Sequence, residues 1–121
     1  MDLTFYSIDS NNDKVIYHTS YIKRENTIIF DDKSVSNTKI YLTVDDDKIL
    51  FVRKGNVFMN VLLKYNKNTF CHYENEIGLS FDFVVKTTNL SITNKRIEME
   101  YDLFLENDKI SSHKITILFI K

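Results

Sequence analysis

The chain has no proline, only two glycines (Gly55 and Gly78) and a single cysteine in 121 residues. Without proline and nearly without glycine, its turns must be built by Asn, Asp and Ser, which tolerate left-handed backbone and hydrogen-bond to it locally. Cys71 alone cannot form an intramolecular disulfide, and one cysteine with the widely separated His18, His72 and His113 lacks the spacing of a zinc site. Neither sign of charge dominates: 16 basic residues stand against 17 acidic ones, dispersed along the chain. The one-sided block of phosphate-neutralising cations needed for non-specific nucleic-acid binding is therefore missing. No apolar run approaches a membrane-spanning length, and Met1-Asp2-Leu3-Thr4-Phe5 lacks the basic segment and apolar stretch of a secretory signal. The expectation is a cytoplasmic protein with neither nucleic acid nor membrane as partner.

What the chain does contain is alternation. In Val57 to Tyr65, in Leu79 to Thr87 and in Ile97 to Leu105 the odd-numbered positions are nearly all apolar. A period of two marks half-buried strands. The apolar residues, 43% of the chain, are mainly Ile, Leu, Val, Phe and Tyr with almost no Ala, a composition that suits pleated sheet over helix. Further strands are expected at Leu3 to Asp9, Lys14 to Lys23, Thr27 to Phe30, Lys39 to Val44, Ile49 to Arg53, Thr69 to Glu74 and Ile115 to Ile120, joined by polar turns such as Ser10-Asn11-Asn12-Asp13 and Asn66-Lys67-Asn68. Asp31 to Asn37 reads as a polar loop with room for one helical turn, and Gly78 is expected to mark a bulge or a close backbone approach. The connections are too short for parallel crossovers, so roughly nine or ten strands form an antiparallel meander within one domain, residues 1–121. Closing the meander into a barrel removes the sheet edges that would otherwise invite pairing with other chains.

Ile49-Leu50-Phe51-Val52-Arg53-Lys54-Gly55-Asn56-Val57, followed by Tyr65, Thr69, Tyr73, Gly78 and Thr87 and by Ile97 to Leu103 with Tyr101, resembles the YwiB-like family of small uncharacterised bacterial proteins. The likeness runs from about Lys39 to the C-terminus. Its most specific element is the Arg-x-Gly hairpin followed by Tyr-x-x-x-x-Gly at Tyr73 to Gly78. Asn75 stands where family members often carry threonine, which removes the hydroxyl from that position. The resemblance implies an all-β, antiparallel, up-and-down calycin-like (lipocalin-type) β-barrel of about 8–10 strands with little or no helix. It implies no established activity and no cofactor.

Among candidate functional residues, Arg53 ends a strand on the parity of Ile49 and Phe51, so its side chain is directed toward a barrel mouth. A guanidinium there can clamp an anionic ligand group, or it can pin the hairpin through backbone carbonyls or a neighbouring acid; both readings are open. Tyr65, Tyr73 and Tyr101 share the inner parity with Met59, Phe81, Phe83 and Met99, a lining that suits either a small-ligand site or a filled core. Cys71 and His72, being adjacent on a strand, face opposite sides and form no nucleophile and base pair. Asp45-Asp46-Asp47 lacks the glycine and terminal glutamate of a calcium loop, and Ser111-Ser112-His113 lacks the glycines of a nucleophile elbow. Glu98, Glu100 and Asp102 form an outward acidic stripe, and not a buried acid and base pair.

The leading expectation is a non-enzymatic barrel that holds a small, partly apolar ligand at its open end, through Arg53, Tyr65, Tyr73 and Tyr101. The alternative is a structural or interaction protein, homodimeric in one version, with a filled barrel and no ligand. Phe58, Leu62, Val84, Phe104 and Leu118 on the outer parity motivate it.

Overall fold

The computed structural model describes residues 1–120, among which ten strands follow one another: β1 (Asp2–Asp9), β2 (Lys14–Arg24), β3 (Thr27–Asp31), β4 (Lys39–Asp45), β5 (Lys48–Lys54), β6 (Phe58–Lys64), β7 (Asn68–Glu74), β8 (Ser80–Ile92), β9 (Arg96–Leu105) and β10 (Asp108–Ile120). Each pairs antiparallel with its sequence neighbours, and β10 returns to β1 in the register Leu3↔Phe119 to Asp9↔His113, which closes the barrel. The expected all-β, up-and-down barrel is the observed fold. No described residue is helical; the Asp31 to Asn37 loop contains a tight turn in which the Val35 amide donates to the Asp32 carbonyl at 3.3 Å.

The turns use the residues that the missing glycines made necessary. Positive φ angles fall on Asn12, Asn37, Asp46, Asn66 and Asn107, joined by Glu25 and Glu106. Asp9 and Asn75 build matching turns, since each side-chain oxygen accepts backbone N–H groups from two and four residues ahead. Asn75, the residue in place of threonine, thus organises the β7–β8 turn.

Gly78 carries neither a bulge nor a close approach: it sits in that turn at φ +87° with open space where a Cβ would be. The register shifts lie instead between Thr87 and Asn89 in β8 and between Lys109 and Ser111 in β10. The first shift moves the inward parity of β8 from odd to even, so that Thr87 and Leu90 face Tyr101 and Met99 respectively.

Inward positions fill the middle of the barrel. Phe5, Phe51, Leu3, Ile40, Leu42, Ile49, Leu63, Ile97, Met99 and Ile117 are fully buried there, and Phe5 stacks on Tyr17 at 5.0 Å between ring centroids. Each such aliphatic or aromatic side chain contributes about 1.5–3 kcal/mol of burial free energy, which is why the centre closes on itself. Hollows are left at the two ends. One, of about 310 Å³, lies at the end holding the β2–β3 and β8–β9 turns and is floored by Ile28, Ile97 and Val44. The other, of about 220 Å³, lies at the opposite end, and Arg53, the partner of a buried carboxylate, borders it.

Candidate functional site

Antiparallel pairing brings the ends of β1, β5 and β9 and the starts of β2, β6 and β10 to one mouth of the barrel. Because side chains alternate, inward positions near this mouth face the 220 Å³ hollow: Ser7 and Asp9 from β1, Arg53 from β5, Met59 from β6, Tyr101 and Leu103 from β9, His113 and Ile115 from β10. Asp13 and Ser34 reach it from the β1–β2 and β3–β4 connections.

Arg53 is held by an acid from a loop that sequence pattern leaves featureless. Its Nε lies 2.7 Å from Oδ2 of Asp32, whose side chain is wholly buried whereas that of Arg53 is 21% exposed. The N–H is not aimed at that oxygen, so the contact is an ion pair without an aligned hydrogen bond. Oδ1 of Asp32 accepts the Ser34 amide at 2.9 Å and the Ser34 hydroxyl, which fixes the carboxylate under the guanidinium. The buried Tyr17 hydroxyl faces the same carboxylate without a partner of its own. Burial, and after it the Asp32 charge, pushes the Tyr17 phenol well above its ordinary value, so it is a neutral donor.

On the other side of the mouth Tyr101 stacks on His113 with centroids 5.1 Å apart. Burial raises the Tyr101 phenol, while the Arg53 charge pulls it the opposite way. His113 Nε2 meets the Ser111 hydroxyl at 2.8 Å. Burial, reinforced by Arg53 and opposed by Asp9 and Asp102, lowers its imidazole below the usual range. The mouth therefore presents a guanidinium, the Asp9 and Asp13 carboxylates, the neutral Tyr101 phenol and a neutral imidazole above an apolar wall of Met59, Leu103 and Ile115. Such convergence of a few polar groups on an apolar hollow is the general anatomy of a small-molecule site.

A family model described as "Domain of unknown function (DUF1934)" matches residues 6–117. The chain belongs to the DUF1934 family. Among solved structures, the barrel is similar to the crystal structure of the ywiB protein from Bacillus subtilis, with a TM-score of 0.67 and 17% sequence identity over 99% of this chain and 91% of that one. No curated protein matches. At that identity the solved structure shows a shared fold alone.

In this DUF1934 barrel the tyrosines expected at one site divide between the two ends. Tyr101 lies beside Arg53. Tyr73 is half-buried at the same end, paired with Met59 and Phe81. Tyr65 is 59% exposed and follows β6 at the far end, where it bridges Thr87. Parity assigns a face and not a height: in the β5–β6 hairpin Arg53 pairs with Met59 beside the turn, whereas Lys64 pairs with Lys48 at the open end. Reading the hairpin register from the sequence would have separated Tyr65 from Arg53. Asp32, Tyr17 and His113 escaped sequence reasoning. His113 had a detectable signal, the parity it shares with Ile115 and Ile117. Asp32 had none, because its partner lies two strands away across β4.

The outer parity behaves as the pattern implies. Glu98 pairs with Arg96, Glu100 accepts from Asn89 at 3.0 Å, and Asp102 accepts from the Ser112 hydroxyl at 2.7 Å. Cys71 is buried, while its neighbour His72 points outward to Asp82 at 2.6 Å.

Proposed function

We propose that this DUF1934 barrel is a cytoplasmic binding protein that holds a small, partly apolar ligand in the mouth lined by Arg53, Tyr101 and His113. The observation that carries the reading is Arg53 itself. A buried carboxylate fixes one side of the guanidinium, the group forms no aligned hydrogen bond among the described residues, and it borders a hollow with an apolar wall of Met59, Leu103 and Ile115. A side chain fixed in this way is pre-organised to donate, which lowers the ordering cost of binding. The hollow, at about 220 Å³, is smaller than the roughly 300–1,000 Å³ of drug-sized sites, so the ligand is the size of a small metabolite. The free, buried thiol of Cys71 is consistent with a reducing compartment.

Ligand-observed NMR against a library of small metabolites tests the reading. Hits should be lost in Arg53→Met and kept in Tyr65→Ala, which alters the far end. A library with no hits, or hits indifferent to Arg53, would count against it.

A second reading, an interaction module, is favoured by the β7–β8 hairpin. Ser80 to Phe83 pair with β7 alone, because β9 enters register only at Val84↔Phe104. Around that free edge Ile77, Leu79 and Phe81 are exposed. Light scattering across a concentration series distinguishes the readings: self-association abolished by Phe81→Lys supports the module, and a strict monomer removes its homodimeric version.

A further inference from the structure

The charges around the mouth are arranged by sign. Arg53 stands on β5, whereas Asp9 stands at the end of β1, with three intervening strands on one side of the ring and five on the other, and Asp13 stands just before β2. Guanidinium and carboxylates therefore face one another across the hollow. Between them lie Met59, Leu103 and Ile115, which offer only apolar contact. Asp9 uses Oδ1 to hold the turn amides of Asn11 and Asp13, which leaves Oδ2 free of the turn. Asp13 is exposed at the rim.

A simple anion does not match this arrangement. Counting Asp32 behind Arg53, one guanidinium faces three carboxylates, so a ligand carboxylate gains the Arg53 fork but adds to a negative surrounding. A simple amine satisfies the acidic rim and leaves the fork unused. A molecule with a carboxylate at one end, an ammonium at the other and a short apolar chain between them meets all three walls.

We infer that the mouth takes a small zwitterion of this kind, an ω-amino acid, with its carboxylate on Arg53, its chain along Met59, Leu103 and Ile115, and its ammonium toward Asp9 and Asp13. This rests on the open-end binding reading above. His113, beside Asp9 in the β1–β10 register, stays neutral and leaves the carboxylates available to the ammonium.

The test is a titration of the full chain, followed by amide chemical shifts, with 6-aminohexanoate, hexylamine, hexanoate and 1-hexanol as probes. The expected order is 6-aminohexanoate tightest, then hexylamine, then hexanoate, with roughly a tenfold loss on removing either charge, the size of one charge-assisted hydrogen bond. Arg53→Met should bring 6-aminohexanoate down to the level of hexylamine. Should that variant fail to fold, Asp13→Asn, an exposed substitution, should weaken 6-aminohexanoate and leave hexanoate unchanged or improved. Binding of 1-hexanol as tight as that of 6-aminohexanoate would overturn the zwitterion and keep the open-end site. Hexanoate as the tightest probe would overturn it too. No shift near Arg53, Tyr101 or His113 with any probe, the alcohol included, would remove both readings.

Discussion

Gly55 passes so close to Asn37 that a Cβ built on the glycine would sit 2.0 Å from the Asn37 carbonyl oxygen and 2.6 Å from the Thr38 Cα. Backbone meets backbone there, so nothing flexible can yield. The contact seats the β3–β4 loop against the β5–β6 turn, and that loop delivers Asp32 to Arg53.

Gly55→Ala is accordingly expected to cost about 2 kcal/mol or more of stability, because it forces the loop away. Gly78→Ala, at φ +87° but with free space around it, should cost only the left-handed penalty of about 1–2 kcal/mol. Urea unfolding of both variants checks the ranking. Equal losses would mean that the loop contact contributes nothing.

The Arg53 and Asp32 pair should show asymmetric single-mutant costs. Arg53→Met leaves a fully buried carboxylate without a countercharge and approaches the about 3–5 kcal/mol of a broken buried pair. Asp32→Asn leaves a guanidinium that water can reach, so its cost is smaller. The double variant should recover part of the loss, read as a coupling term in a double-mutant cycle. Strict additivity would show the two side chains to be independent.

Two histidines impose opposite pH dependences. His113, lowered from 6.5 chiefly by burial, resists a proton that the unfolded chain accepts. Stability therefore falls as pH drops through 6.5 and levels off below the folded value. His72 is raised from 6.5, first by its hydrogen bond to Asp82 and also by Glu74, so its contribution is complete below 6.5 and is lost as pH rises through the folded value. In urea unfolding between about pH 5 and 8, His113→Gln should flatten the acid-side loss and His72→Asn should remove the opposing rise. A steeper acid-side loss in His113→Gln would contradict the burial of that ring.

The Cys71 thiol is pushed up to about 11 by burial, with Asp82 adding to it. At about pH 8 it should react with a disulfide reagent far more slowly than a free thiol, and reach full reactivity only as the chain unfolds. Rapid labelling of the native protein would place Cys71 at the surface, against its position in the core.

The alternation of apolar and polar residues determined the class of fold and most of the inward face by itself. Leu3 and Phe5, Ile49 and Phe51, Ile97 and Met99 all lie where a period of two puts them. Local turn chemistry was equally legible, since the Asn and Asp residues that had to replace glycine do occupy the left-handed positions. These features depend on neighbours a few residues apart, which is the range over which a strand and its turn act.

Tertiary structure decided the rest. It set the height of each residue along the barrel axis, and so parted Tyr65 from Arg53 although both looked inward. It shifted the parity of β8 at Thr88, where the polar run Lys86 to Asn89 hides the point at which the apolar positions change from odd to even. It also buried Asp32 from a polar loop beneath Arg53, because that loop folds back over β4 onto the β5–β6 turn at Gly55. Height comes from register and the Asp32 contact from loop packing over neighbouring strands, and both are properties of the assembled sheet.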